Sequence, residues 1–231
     1  MLPDAEAVAR RAAGRIAVAA RAAVAERGRF LLAVSGGTTP RRMLRLLASE
    51  DVPWPRVQLF QVDERAVPAD DPERNLRQLR EALLEHVPLP QGHLHAMPVE
   101  EAAPELAATR YAATLQEFAG RPAVLDLVHL GLGADGHTAS LVPYDQVVDA
   151  LDADVAVTGP YRGHRRMTLT LPLLDRARRI LWVVTGSDKR EALAGLLRAD
   201  PAIPAGRVGA ARATVIADAA AGGALESRRT N

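Results

Sequence analysis

Four short apolar runs in this chain stop abruptly at polar or glycine-rich segments. FLLAV (30–34) runs into SGGTTP (35–40), and RVQLFQV (56–62) into Asp63-Glu64-Arg65. VLDLVHL (124–130) runs into GLGADGH (131–137), and ILWVVT (180–185) into Gly186-Ser187-Asp188. A continuous apolar run of this length, bounded by turn residues, is a strand buried on both faces, which is the habit of parallel sheets. Helical sequence separates the runs. One helix is predicted over 4–27, with Asp4 as N-cap and Gly28 as its stop. Another opens after SGGTTP with Pro40 near its start, and others cover about 73–86, 101–119 and 188–198. Residues 166–171 and 213–217 read as further strands, and the tail AAAGGALESRRTN reads as frayed. Alternation of this kind predicts an α/β fold, a doubly wound, mostly parallel sheet flanked by helices (Rossmann-like), as a single domain over 1–231.

Composition narrows the function classes. A net charge of +1 gives no bulk attraction to nucleic acid, and 3% aromatic residues argue against a base-stacking surface. Cysteine is absent, which removes disulfides, thiol catalysis and Cys-ligated metals. Arg10, Arg11, Arg15, Arg21 and Glu26 interrupt the N-terminal alanines, so no apolar segment of signal-peptide length is expected. No uncharged run reaches the roughly 18 residues of a membrane span. A cytoplasmic protein without nucleic-acid or membrane partners, monomeric or weakly homo-oligomeric, fits these features. Of the 29 basic residues only Lys189 is a lysine.

In doubly wound sheets ligands bind beyond the carboxyl ends of the strands, so the segments after the strands carry the chemistry. In SGGTTP the glycines let backbone approach a ligand, the following helix aims N–H groups at it, and Ser35, Thr38 and Thr39 add hydroxyls. Ser35, Gly36, Gly37 and Thr38 thus read as an anion cradle. It is not a nucleotide P-loop, which needs a Lys beside its last Gly. Nor is it a GxSxG nucleophile elbow, because Ala33 stands where the first Gly belongs. GLGADG matches GxGxxG, but Pro143 follows too soon for the long helix of a dinucleotide site.

His137 is the acid/base candidate, with Asp135 placed to orient it. Asp63 can hold a sugar hydroxyl or assist proton transfer, and Arg65 can grip an anion in bidentate fashion. Arg166 opens a strand. Lys189 follows the TGSD turn at a helix start, where a cation opposes the helix dipole unless an anion lies between them. Glu64 is open between a buried partner for Arg65 and an exposed group. Arg162 and Arg165 read as solvent-facing. His93 and His95 are too few for a metal site, so no metal is expected.

These motifs, in this order and over nearly the whole chain, resemble the 6-phosphogluconolactonase family, within the superfamily that includes glucosamine-6-phosphate deaminase. The resemblance rests on SGGTTP (35–40), DERAVPADDPERN (63–75), LGLGADGHTASLVP (130–143), RMTLT (166–170) and TGSDK (185–189). It implies hydrolysis of 6-phospho-D-glucono-1,5-lactone to 6-phosphogluconate, the second step of the oxidative pentose phosphate pathway, with no metal or organic cofactor. It implies that His137 activates water with support from Asp135. Arg65, Arg166, Lys189 and the SGGT loop would hold the phosphate and sugar. Two positions depart from the family pattern: Arg74 precedes Asn75 where Ser is usual, and Val142 replaces Phe.

A deaminase needs an acidic residue soon after DGH, and Thr138 to Pro143 supply none. A non-catalytic sugar-phosphate sensor would need the cradle but not His137 beside Asp135.

Overall fold

The computed structural model describes residues 1–226. In chain order its elements are α1 (Ala5–Arg27), β1 (Phe30–Val34), α2 (Thr38–Leu47), β2 (Val57–Gln61), β3 (Asp63–Arg65), α3 (Asn75–Ala82), β4 (Leu94–His95) and α4 (Pro104–Ala119). They continue as β5 (Leu127–Leu130), β6 (Val155–Val157), β7 (Arg166–Leu169), α5 (Leu171–Arg176), β8 (Ile180–Val184), α6 (Arg190–Leu197), α7 (Pro204–Arg207), β9 (Ala213–Ala217) and α8 (Ala219–Glu226).

Six strands form one parallel sheet in the order β4-β2-β1-β5-β8-β9. Its strands are buried on both faces, as their unbroken apolar runs require. In β1, Leu31 and Ala33 enter one core, while Phe30, Leu32 and Val34 enter the other. β8 divides in the same way, Ile180, Trp182 and Val184 against Leu181 and Val183. Helices α1, α2 and α3 cover one face, and α4, α5 and α6 the other. Each large side chain buried this way contributes roughly 1.5–3 kcal/mol.

α1 shows how local sequence sets an element. Asp4 Oδ1 accepts the Ala7 N–H at 2.8 Å, and Gly28 closes the helix at φ +73°, a conformation that favours glycine. Its inner face is mostly alanine (Ala9, Ala12, Ala13, Ala17 and Ala20), which lets the sheet and α2 approach closely.

The chain runs leftward from β1 through β2 to β4, then crosses to β5, β8 and β9. Strand order therefore reverses between β1 and β5, and the crevice beyond their carboxyl ends is the ligand position of such sheets. SGGTTP and GLGADGH flank that crevice. Among the described residues no helix is long and apolar enough to cross a membrane.

Three expectations are corrected. Asp63-Glu64-Arg65 is a strand of its own, and the 166–171 segment does not join the parallel sheet. Instead β3, β7 and β6 form a separate antiparallel sheet in the order β3-β7-β6. The switch occurs at Val62, whose N–H donates to Val34 O of β1 at 3.0 Å while its carbonyl accepts the Leu169 N–H at 2.9 Å. The tail is not frayed over Ala219–Glu226. That segment is helical because Asp218 Oδ1 accepts the Ala221 N–H at 2.8 Å and the Ala219 N–H donates to Leu2 O at 2.7 Å. Residues 227–231 lie outside the described residues.

Candidate active site

A cleft of about 200 Å³ opens beyond the carboxyl ends of β1 and β5. Ser35, Gly36, Gly37, Thr38, Asp63, Arg65, His137, Arg166 and Lys189 all line it. Asp135 stands beside it, bound to His137. A larger groove of about 690 Å³ lies near the opposite ends of the strands, around Arg27, Asp126 and Arg178, and holds none of these residues. Chemistry rather than volume therefore singles out the smaller cleft.

The cradle is anchored from below. Ser35 N–H donates to His129 Nδ1 at 3.4 Å, and Ser35 Oγ donates to His129 O at 3.0 Å. His129 is fully buried, and burial lowers its pKa to about 3, so it stays neutral and supports the loop as a structural group. A Cβ on Gly36 would come within 2.2 Å of Asn75 Oδ1, so only glycine fits there. No side chain caps the N-terminus of α2, which leaves the positive end of its dipole turned to the cleft.

The small antiparallel sheet supplies the cations. Its register sets Arg65 of β3 directly opposite Arg166 of β7. Like charges facing each other across strands repel. Arg166 is only 6% exposed, its Nε has no hydrogen-bond partner, and no carboxylate pairs with it among the described residues. Burial lowers its pKa, only partly offset by Asp63. A buried guanidinium with no carboxylate paired to it, beside a second cation, suits a bound anion. Asp63 is itself positioned by Ser140, whose Oγ donates to Asp63 Oδ2 at 2.6 Å. Lys189 ends the short turn Ser187–Lys189 rather than entering α6, and its Nζ lies 3.0 Å from Asp188 Oδ2. The carboxylate beside it offsets the unfavourable helix position.

His137 and Asp135 form a close pair. The Nδ1–Oδ1 separation is 2.6 Å, and the His137 N–H also donates to Asp135 Oδ1 at 3.2 Å. Partial burial raises the Asp135 pKa, but the charge and hydrogen bonds of His137 and a hydrogen bond from Tyr161 outweigh it, so the pKa falls below the ordinary value. Asp135 is therefore ionised near neutral pH and can only accept. Nδ1 must carry the proton, which leaves Nε2 as the basic nitrogen. Gly133 makes room for this arrangement, since a Cβ there would lie 2.0 Å from His137 Nδ1.

Several contributing residues have no role assigned from the sequence. Glu64 is neither a partner for the Arg65 guanidinium nor exposed. It is fully buried and accepts from Gln61 Nε2 and from the N–H groups of Arg65, Asn75 and Leu76 at 2.7–2.8 Å. Burial raises its pKa against those donors. Arg74 is buried beside it, with Nε 3.2 Å from Glu64 Oε2. The pair fixes the start of α3 and hence Asn75, which donates to Asp63 O at 3.0 Å. Arg74, at the position where Ser is usual, thus serves as scaffold. Arg165 pairs with Glu105 at 2.9 Å on the surface. Tyr161, on the connection between β6 and β7, touches Asp135, His137 and Arg166. Only its closeness in sequence to RMTLT could have drawn attention to it.

Comparison with known proteins identifies the family. Residues 3–217 match the family model described as glucosamine-6-phosphate isomerases/6-phosphogluconolactonase. The chain is similar to the 6-phosphogluconolactonase of Synechocystis, 40% identical over 185 residues, covering 78% of this chain and 77% of the relative. It is similar to the 6-phosphogluconolactonase of Mycobacterium tuberculosis, 39% identical over 223 residues and 90% of each chain. Among solved structures, 6-phosphogluconolactonase from Thermotoga maritima superposes with a TM-score of 0.84 at 28% identity, covering 94% of this chain and 96% of that one.

Proposed function

The chain belongs to the glucosamine-6-phosphate isomerase/6-phosphogluconolactonase family, and from that premise we propose that it hydrolyses 6-phospho-D-glucono-1,5-lactone to 6-phosphogluconate in the oxidative pentose phosphate pathway. The observation that carries this reading is one cleft holding two kinds of group: a histidine whose Nδ1 is bound to a carboxylate, and a buried guanidinium with no carboxylate paired to it among the described residues.

The reaction follows from those groups. Arg65, Arg166, Lys189 and the N–H groups of the SGGT loop that the protein leaves free hold the phosphate, and Asp63 accepts from a sugar hydroxyl. Gripping the phosphate, which is remote from C1, positions the carbonyl. His137 Nε2 takes a proton from water as the water oxygen bonds to C1. Backbone N–H groups of the glycine-rich segments stabilise the oxyanion. As the tetrahedral centre collapses, the bond from C1 to the ring oxygen breaks, and the imidazolium returns the proton to that oxygen. Asp135 stabilises the imidazolium throughout. No metal ion or covalent intermediate is needed, because the lactone carbonyl is already electrophilic.

The test is a coupled assay with freshly made lactone, with spontaneous hydrolysis subtracted. Acid production well above background is expected. Ammonia release from glucosamine 6-phosphate without lactone hydrolysis would favour a deaminase. Binding of 6-phosphogluconate without turnover of either compound would favour a sensor.

Lys189→Ala checks the clamp separately. Its expected effect is a roughly tenfold rise in KM with kcat changed less than about twofold, the pattern of lost uniform binding. Steady-state kinetics at several lactone concentrations would show it, and an unchanged KM would remove Lys189 from the clamp.

A further inference from the structure

Tyr161 has no part in the reaction as derived so far, yet it touches both halves of the site. Its Oη donates to Asp135 Oδ2 at 2.9 Å, while His137 Nδ1 donates to Asp135 Oδ1. The carboxylate is thus held from both sides. The Tyr161 ring meets the His137 ring edge-on, with centroids 5.6 Å apart. The Arg166 guanidinium sits 5.1 Å from the centre of the Tyr161 ring, within cation–π range.

The backbone delivers Tyr161 rigidly. Tyr161 and His164 exchange hydrogen bonds, Tyr161 N–H to His164 O at 3.0 Å and His164 N–H to Tyr161 O at 3.3 Å. Arg162 and Gly163 between them take φ +50° and +86°, the two positive values of the tightest hairpin turns. Arginine in that conformation is strained, and such strain persists where surrounding contacts hold it. Here those contacts include Arg162 itself, 5.2 Å from the centre of the Tyr161 ring. His164 also lies 3.2 Å from Glu73, which ties the turn to the segment preceding α3.

We propose that Tyr161 is a positioning residue: its hydroxyl locks the Asp135–His137 pair into the orientation that leaves Nε2 free, and its ring links that pair to Arg166. The proposal rests on the hydrolase reading and adds a third member to its acid/base apparatus. It also explains how the carboxylate is fixed: both donors from His137 fall on Oδ1, and only the Tyr161 hydroxyl holds Oδ2.

Two substitutions and two readouts test it. Tyr161→Phe keeps the ring and removes the hydroxyl. Its kcat for the lactone should fall roughly tenfold, the effect of one lost hydrogen bond to a charged group. KM should change less than twofold and the melting temperature should hold. Tyr161→Leu removes the ring as well, so its KM should also rise by a few-fold. In NMR spectra of protein labelled at histidine, the downfield Nδ1 proton of His137 should be sharp in the wild type and broadened in both variants. An unchanged kcat in Tyr161→Phe overturns the proposal. If the wild type hydrolyses no lactone, the hydrolase reading fails. The His137 Nδ1 proton, compared between wild type and Tyr161→Phe, then decides the positioning role by itself.

Discussion

His137→Ala is expected to lower kcat for lactone hydrolysis by about 10²- to 10⁴-fold, the range for removal of a general acid/base. The reason is geometric. Asp135 fixes the proton on Nδ1, and alanine offers no substitute for the basic Nε2. The phosphate clamp lies on other elements, β3, β7 and the turn before α6, and it is untouched by the change. KM and binding of 6-phosphogluconate should therefore stay within about twofold of wild type, as expected when only transition-state stabilisation is lost. Kinetics with the spontaneous rate subtracted, alongside calorimetric product binding, would separate the two quantities. Wild-type kcat in this variant would remove His137 from the mechanism.

The second large effect is expected at Arg166, where function and stability should move in opposite directions. Arg166→Met keeps a long apolar stem in a buried position and removes the charge. Charge-assisted hydrogen bonds to an anion contribute roughly 1.5–3 kcal/mol, so KM should rise about 10- to 100-fold. The free protein holds this guanidinium buried with no carboxylate paired to it among the described residues. Its removal breaks no ion pair and relieves the repulsion from Arg65, against a weaker attraction to Asp63 and the lost stacking on Tyr161. The melting temperature should therefore be unchanged or higher, because the burial serves the ligand and not the fold. Thermal denaturation and KM measured on one preparation would test this. A lower melting temperature with unchanged KM would mean that Arg166 is structural.

The order of the large elements was legible because parallel strands buried on both faces must be continuously apolar. FLLAV became a strand over its whole length, and ILWVVT did so up to Val184. Asp4 and Gly28 marked the ends of α1 through local chemistry alone. The rule that ligands bind beyond strand carboxyl ends then drew SGGTTP, DER, GLGADGH and TGSDK toward one rim, and one cleft gathers residues from all four.

The small antiparallel sheet was not legible. β3 has three residues, too few for a periodic signal, and its partner β7 lies a hundred positions away in sequence. Its pairing depends on Val62 bonding to β1 on one side and to β7 on the other. That sheet decides the clamp, because only its register sets Arg65 against Arg166.

Glu64 and Tyr161 show the same limit. The sequence leaves Glu64 open between a partner for Arg65 and an exposed group, yet it is fully buried because four donors from three separate segments converge on it. Tyr161 belongs to no motif, and its contacts come from a tight turn packing against a distant loop.

By itself the sequence determined the strand–helix alternation, the capped helix α1 and the residue types available for anion binding and proton transfer. Each depends on neighbours within a turn or two of chain, where propensity, capping and apolar periodicity act. Only the tertiary structure decided which cations oppose each other, what holds the second oxygen of Asp135, and which groups are buried without partners. Those properties depend on distances and desolvation between segments far apart in the chain, and packing alone sets them.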